Sequence, residues 1–201
     1  IKGSYVTDVP IIFDKSLHIE GTFGAELKYL TYDKDNGDIL QHTGNSSHKV
    51  VVKEIIFRNA GGYGINSTSS DVFEIRKCKF FNNGWSGQLL NTALPSSYSS
   101  LYGFDSPQSD LQNFYASNET SDGGAVLLTE CTKPLIRESK AEGNFRGFKV
   151  VDSGKNGGGF IIENQSIGNI ESGIYLGAGL INYGCENITV TINYSAAIEI
   201  N

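Results

Sequence analysis

The chain has 201 residues, a formal net charge of −6 and only 19% charged residues. An acidic chain is a poor general partner for nucleic acid, because the phosphate backbone repels it. No apolar run approaches the roughly 18 residues of a membrane-spanning helix, so we expect no membrane insertion. The 24 glycines and 10 tyrosines, with 4 prolines, indicate one folded, elongated domain rather than a disordered chain.

Short strands are predicted from the start of the chain. Residues 3–13 and 17–21 read as two strands joined by a turn. The polar segment Asp33–Asp38 predicts a loop after them. Further strands are short and β-branched, as in Val50–Val52 and Ile188–Ile192.

A short cassette recurs along most of the chain, in which a small residue precedes an apolar one, usually after a polar turn. The six pairs are Gly64-Ile65, Gly103-Phe104, Ala125-Val126, Gly147-Phe148, Gly173-Ile174 and Ala197-Ile198. Subtracting successive positions gives steps of 39, 22, 22, 26 and 24 residues. Asparagine is frequent in the turns, because it tolerates left-handed backbone and can hydrogen-bond in a stacked ladder.

This self-similarity, with strand patterns and no helical pattern, predicts a solenoid. A β-sandwich with regular turns is the alternative, but sandwiches do not repeat such a cassette. We therefore predict an all-β fold, a parallel β-helix of about 22–26 residues per coil, with residues 1–201 as one domain. Residues 1–48 are expected to form irregular early coils and residues 49–201 regular ones.

Two apolar columns are predicted inside the solenoid. The first contains the apolar cassette residues Ile65, Phe104, Val126, Phe148, Ile174 and Ile198. The second contains the centres of short strands, at Ile75, Ile136, Ile162 and Val190. Because the last coil stops inside its strand at Asn201, we expect the chain to be a segment of a longer one, or another chain to cap this end.

The cassette segments FRNAGGYGI, FFNNG, AEGNFRGF and IGNIESGI resemble the pectin-lyase-like, right-handed parallel β-helix superfamily. The opening GSYVTDVPIIFDKSLHIEG is similar to the first coils of bacteriophage tailspikes and related polysaccharide depolymerases. The resemblance covers nearly the whole chain and implies a right-handed solenoid that binds polysaccharide on its outer face. It also implies a homotrimer in a virion tail or outside the cell. Members of the superfamily include lyases, hydrolases, epimerases and non-catalytic adhesins, so the fold alone does not select an activity.

One stretch is similar to a catalytic motif. Tyr102–Asp105 resembles the Tyr-Gly-Phe-Asp that begins the catalytic motif of mannuronan epimerases, which implies catalytic roles for Tyr102 and Asp105. That motif continues with Pro-His, whereas this chain continues with Ser106–Gln108, and proton transfer needs a second group opposite the first. The alternative is that Gly103-Phe104 is one more cassette.

The long first step of 39 residues indicates an insert near residues 85–100. The insert holds the single tryptophan, Trp85, together with Tyr98 and several serines. Loops on a rigid scaffold commonly carry binding residues, and flat aromatic rings suit the apolar faces of sugars. The insert is therefore a candidate binding loop, and packing on a coil or on a neighbouring subunit is the alternative.

Two basic columns are predicted beside the insert. They are Arg76 and Arg137 with Gln112 between them, and Lys79 and Lys140 around Tyr115. Residues two coils apart would be about 10 Å apart, which suits successive acidic groups of a glycan. The alternative is a solvated face on which Glu74 and Glu138 neutralise the cations.

The cysteine and histidine positions indicate neither a metal site nor a cofactor, and the sequons have a structural interpretation. Cys78, Cys131 and Cys185 fall at different points of the repeat, so we expect free thiols. His18, His42 and His48 lack the spacing of a metal site. The N-x-S/T sequons at Asn45, Asn66, Asn118, Asn164, Asn187 and Asn193 are interpreted as turn and ladder asparagines.

The predicted function is recognition of a cell-surface or extracellular polysaccharide, with or without its cleavage. An enzyme of this kind would be a polysaccharide lyase, hydrolase or epimerase, with Tyr102 and Asp105 as its catalytic residues. The predicted substrate-binding residues are Trp85, Tyr98, Tyr115, Arg76, Lys79, Arg137 and Lys140. The alternatives are a uronate-polysaccharide epimerase or lyase and a non-catalytic structural spacer.

Overall fold

The strands of the chain follow one repeated order around a common axis. The computed structural model describes residues 1–22, 24–30, 37–84, 123–154, 158–167, 169 and 172–177, together with the backbone of the strands at 183–186, 189–191 and 196–200. Within these residues there are 18 β-strands and no helix. In chain order they are β1 (Ser4–Thr7), β2 (Ile11–Phe13), β3 (Leu17–Glu20), β4 (Glu26–Tyr29), β5 (Leu40–Thr43), β6 (Lys49–Lys53), β7 (Ile56–Arg58), β8 (Tyr63–Arg76), β9 (Lys79–Phe81), β10 (Gly124–Arg137), β11 (Lys140–Glu142), β12 (Arg146–Val151), β13 (Gly159–Ile162), β14 (Gln165–Ile167), β15 (Ser172–Leu176), β16 (Tyr183–Glu186), β17 (Thr189–Thr191) and β18 (Ala196–Ile200).

All strand pairs in this part of the chain are parallel, and they form three faces. Face one is the seven-stranded sheet β1-β4-β7-β9-β11-β14-β17. Face two contains β2, β5, the first halves of β8 and β10, β12, β15 and β18. Face three contains β3, β6, the second halves of β8 and β10, β13 and β16. Because each coil visits faces one, two and three in turn, the predicted parallel β-helix is confirmed.

Single residues with left-handed backbone turn the chain at the three corners of each coil. The first corner, from face one to face two, has Asn59, Asn82 and Gly143; the second, from face two to face three, has Ser69, Glu130 and Asp152; the third, from face three to face one, has Glu54, Lys77, Glu138 and Glu163. Their φ angles lie between 49° and 66°. A single residue of this kind bends the chain sharply, so that it passes from one face to the next without a loop. Ser69 and Glu130 lie inside β8 and β10, which explains why these 14-residue strands each cover two faces.

Buried asparagines form a hydrogen-bond ladder at the first corner. The backbone N–H groups of Ala60, Asn83 and Asn144 each donate, at 3.0 Å, to the side-chain oxygen of the asparagine one coil further on, the last being Asn169. The side-chain amide of Asn144 in turn donates to the carbonyl of Phe80 at 3.1 Å. The ladder pairs backbone groups that a sharp corner would otherwise leave buried and unbonded.

Smaller side chains make the same kind of contact at the other two corners. At the second corner the N–H of Cys131 donates to Ser153 Oγ at 3.0 Å. At the third corner the N–H of Cys78 donates to Ser139 Oγ at 3.2 Å, and the N–H of Ser139 donates to Asn164 Oδ1 at 2.9 Å. Asn164 is therefore a ladder asparagine, as predicted, whereas Asn118, Asn187 and Asn193 lie outside the residues whose side chains the structure describes.

The first predicted apolar column is confirmed except for one member. Ile65, Val126, Phe148 and Ile174 are successive register partners on face two and are all fully buried, and Ile198 is the next partner by backbone register. Phe104 was expected between Ile65 and Val126, but these two pair directly, so no coil separates them and that expectation is wrong. Phe104 itself lies outside the described residues.

The second predicted column is correct for two residues and wrong for two. Ile75 pairs with Ile136 on face three, but Ile136 then pairs with Ile161, not Ile162. Ile161 is fully buried and Ile162 only partly so, because a shift of one residue moves a side chain to the other side of a strand. Val190 belongs to β17 on face one, so it is not part of this column.

Aromatic contacts inside the solenoid give a direct test of the register. Phe80 stacks on Phe57 with ring centroids 5.1 Å apart, and Phe148 meets Phe80 edge-on at 6.3 Å. We expect Phe148→Ala to lower the free energy of unfolding by about 3–5 kcal/mol, through lost burial and a cavity. Phe160→Ala is the matched control, because Phe160 points outward and is 48% exposed, and it should cost less than about 1 kcal/mol. Equal losses in chemical denaturation would contradict the register.

A buried histidine lies between the second coil and its neighbours. His42 contacts Ser67 Oγ through Nδ1 at 2.9 Å and His48 Nδ1 through Nε2 at 3.1 Å. A Cβ at Gly44 would overlap the imidazole, so the tight turn after β5 requires glycine. Burial, and then the neighbouring His48, lower the pKa of His42 below its ordinary value of 6.5, against a weaker opposing effect of Asp14.

This lowered pKa predicts a pH-dependent stability. The unfolded chain takes up a proton on His42 near pH 6.5 while the folded chain resists it, so stability is lost as the pH falls from 6.5 through the folded pKa. One proton contributes at most about 1.4 kcal/mol per pH unit. His42→Asn should flatten the dependence of the unfolding free energy on pH below 6.5, as measured by chemical denaturation at several pH values. An unchanged slope in His42→Asn would contradict this prediction.

Candidate functional site

The four predicted basic residues flank the third corner. They are Arg76 and Arg137 on face three and Lys79 and Lys140 on face one. Each pair is in direct register, so its members lie roughly 4.8 Å apart rather than about 10 Å. Gln112 and Tyr115 were expected between them, and that expectation is wrong because no coil separates the paired strands. The columns themselves were correctly predicted, but at half the spacing.

Both arginines are fixed by glutamates from a neighbouring coil. Arg76 Nε lies 3.0 Å from Glu138 Oε1. Arg137 donates to Glu74 Oε1 from Nε at 3.0 Å and from Nη2 at 2.5 Å. The geometry therefore matches the alternative in which Glu74 and Glu138 neutralise the row. A polyanion would require two guanidinium groups without carboxylate partners, and both Arg76 and Arg137 have such a partner.

The lysines differ from one another in their partners. Lys140 Nζ lies 2.6 Å from Glu142 Oε2, and Lys77 Nζ lies 3.7 Å from Glu138 Oε2. For Lys79, which is exposed, no ion pair occurs with the described part of the chain. The third corner thus combines balanced charges with one cation available to a ligand.

A groove of about 530 Å³ runs over the third corner. It is lined by Lys77, Cys78, Lys79, Glu138, Ser139, Lys140, Glu163 and Gln165. The groove therefore contains hydrogen-bond donors and acceptors together: ammonium groups, carboxylates and an amide. Lys79, Lys140 and Gln165 are successive register partners, so this wall of the groove continues over three coils.

The floor of the groove is rigid. Ser139 is held by its N–H bond to Asn164 and by its own hydroxyl, which donates to the carbonyl of Arg137 at 2.9 Å. The amide of Asn164 donates to the carbonyl of Ile136 at 2.7 Å. Left-handed backbone at Lys77, Glu138 and Glu163 places a long charged side chain at the corner of each coil. A ligand there would meet groups that are already positioned.

The cysteine in the groove wall is not a nucleophile. Burial raises the pKa of the Cys78 thiol to about 12 and that of the Cys131 thiol to about 11. Both thiols are therefore protonated at neutral pH, and the thiolate is the reactive form. No disulfide joins them, as predicted, and nothing is described for the side chain of Cys185.

Comparison with known proteins supports the architecture. A family model described as right handed beta helix region matches residues 17–201. The chain belongs to the right-handed β-helix family. No curated protein and no solved structure matches it. The three parallel faces alone do not define the handedness of the coils, and family membership shows that it is right-handed.

The family match shows a right-handed β-helix and does not extend to the predicted tailspike-like function. Other predicted site residues lie outside the described part of the chain: Tyr102, Asp105, Trp85, Tyr98 and Tyr115. The roles of these residues stay predictions. Among the residues that the structure does describe, no three His, Cys, Asp or Glu side chains are grouped to hold a metal ion. In the same part of the chain, no helix is long and apolar enough to cross a membrane.

The sequence interpretation missed three side chains on this surface. Glu163 and Gln165 line the groove beside the lysines, and Phe160 lies exposed on face three. The one-residue error in the second column hid Phe160, because with Ile161 inward the alternation along β13 places Phe160 outward. Residues 159–162 read Gly-Phe-Ile-Ile, in which no alternation of apolar and polar residues marks the inward side chain, so the sequence alone carried no signal for Phe160.

Proposed function

We propose that the chain binds a polysaccharide along the outer surface around the third corner. The observation that carries this proposal is the groove over that corner, in which Lys79, Lys140 and Gln165 follow one another in register above a rigid floor. The repeat of roughly 4.8 Å per coil allows a linear polymer to contact several coils at once. Sugar hydroxyls both donate and accept hydrogen bonds, which suits the mixed side chains of the groove.

Binding to purified polymers tests the proposal. Dextran, galactomannan and alginate serve as probes, with affinity measured by retardation in polymer-containing native gels. The double variant Lys79→Ala/Gln165→Ala should weaken binding about tenfold, since each lost hydrogen bond contributes about 0.5–1.5 kcal/mol. Lys15→Ala, at an exposed lysine outside the groove, is the matched control and should bind like the parent. Absence of binding by all three polymers would contradict the proposal for these glycan classes.

Hydrolysis of the bound polymer is a second candidate function. Glu138 and Glu163 occupy neighbouring coils at the third corner and line the same groove. Two carboxyl groups on either side of a glycosidic bond are the usual requirement for its hydrolysis. The motif resemblance instead favours Tyr102 and Asp105 for an epimerase or lyase.

An assay of new reducing ends and of unsaturated uronates separates these activities. For a hydrolase that uses the groove, Glu163→Gln should abolish release of reducing ends while binding is retained. For the activity implied by the motif, Asp105→Asn should abolish turnover, and Glu163→Gln should not. A parent protein that binds but releases no product is a binding module, and one that neither binds nor releases product is a spacer.

The assembly and location of the chain are part of the same proposal. The similarity of the opening segment to phage tailspikes supports a homotrimer in a virion tail or outside the cell. Sedimentation equilibrium would give about three times the 21.8 kDa chain mass for a trimer, and the mass of one chain would contradict it.

A further inference from the structure

An exposed aromatic ring lies on face three. Phe160 points outward from β13 and is 48% exposed. Its register partner in β10 is Leu135, which is partly buried, and its partner in β16 is Gly184, which has no side chain. Close to half of the Phe160 surface is therefore accessible to a ligand.

A fixed ion pair lies on the other side of Leu135 from the ring. Glu74 precedes Leu135 in the same outward column, and Arg137 is two residues from Leu135 along β10. Strand spacing and rise put the Cα atoms of Arg137 and Phe160 roughly 8 Å apart. The Arg137 side chain is directed to Glu74 in the preceding coil, so the ion pair and the ring flank Leu135 from opposite sides. Both arginine bonds use the same oxygen, Glu74 Oε1. Within the described residues, Glu74 Oε2 and Arg137 Nη1 make no hydrogen bond, and the Glu74 and Arg137 side chains are 18% and 42% exposed.

We propose that Phe160, Leu135 and the Glu74–Arg137 pair form a subsite for one uncharged pyranose unit of the polysaccharide. This inference rests on the proposed function and names the class of sugar. The C–H face of the sugar ring packs on Phe160 and Leu135, because aromatic rings present a broad apolar surface. One hydroxyl donates to Glu74 Oε2, and its neighbour accepts from Arg137 Nη1.

Charge balance is the reason that the sugar is uncharged. Glu74 already neutralises Arg137, and Glu138 neutralises Arg76 on the adjacent strand. A sugar carboxylate would have to compete with Glu74 for the guanidinium or lie close to a like charge. A pair of hydroxyls uses one member of the ion pair as acceptor and the other as donor, and leaves the pair intact.

The test uses the same polymers as above with a second set of variants. Dextran or galactomannan should bind the parent, and Phe160→Ala should weaken that binding about tenfold, while Phe160→Tyr should largely restore it. Glu74→Gln should weaken it several-fold. The matched controls are Tyr5→Ala, an equally exposed aromatic on the first coil, and Glu26→Gln, a comparable ion-paired glutamate on face one. Both controls should bind like the parent.

Ionic strength separates the sugar classes. Binding of an uncharged polymer should change less than about twofold between low salt and about 0.5 M salt, because no exposed charge pair is formed with the ligand. Preferential binding of alginate that falls steeply with salt would overturn the uncharged subsite while leaving the proposed function intact.

The remaining outcomes distinguish failure of the Phe160 subsite from failure of polysaccharide recognition as a whole. Neutral-polymer binding that Phe160→Ala leaves unchanged overturns this subsite but not polysaccharide recognition. No binding of any polymer by the parent overturns both. If Phe160→Ala instead reduces the sedimenting mass, the ring packs against a second copy of the chain, and the subsite is overturned.

Discussion

The asparagine ladder at the first corner is the interaction on which the register of the solenoid depends. Each coil turns within one left-handed residue, so the following N–H points inward and needs an acceptor that water cannot supply. Asn83, Asn144 and Asn169 supply it from the next coil, and no other alignment would pair the same groups. A slip of one residue would leave buried donors unbonded and also turn apolar side chains outward. Polar and apolar requirements therefore select the same alignment.

Because the register is fixed inside, the outer surface is fixed as well. The partners of Lys79, Lys140 and Arg137 are set by the strand pairs and not by local flexibility. A surface whose strand positions are fixed in advance needs little backbone rearrangement to bind a ligand, which would favour affinity. The same rigidity means that recognition depends on which side chains share a column. On this chain the columns around the third corner mix charges of both signs.

Much of the architecture could be predicted from the sequence, and the errors have physical causes. The cassette residues Ile65, Val126, Phe148 and Ile174 were predicted correctly because burial imposes the same residue class at each coil. Gly103-Phe104 has the same local pattern but lies in the long segment between β9 and β10, since β8 pairs directly with β10. Local pattern cannot distinguish a coil from such a segment. The ion pair of Arg137 with Glu74, 63 residues apart, was visible only as one alternative, because it requires the register.

The charge of the proposed ligand is inferred from long-range side-chain pairing rather than from composition. In the sequence alone, Arg76, Lys79, Arg137 and Lys140 suggest a basic surface and an acidic glycan. In the folded chain, three of these four side chains have a carboxylate within 3.0 Å or less, and the net charge of the chain is −6. A polyanion approaching this surface would gain little attraction at long range and would have to break existing pairs at short range. An uncharged polymer would break none, and contacts on several coils would add to one another, so even weak subsites could give useful affinity.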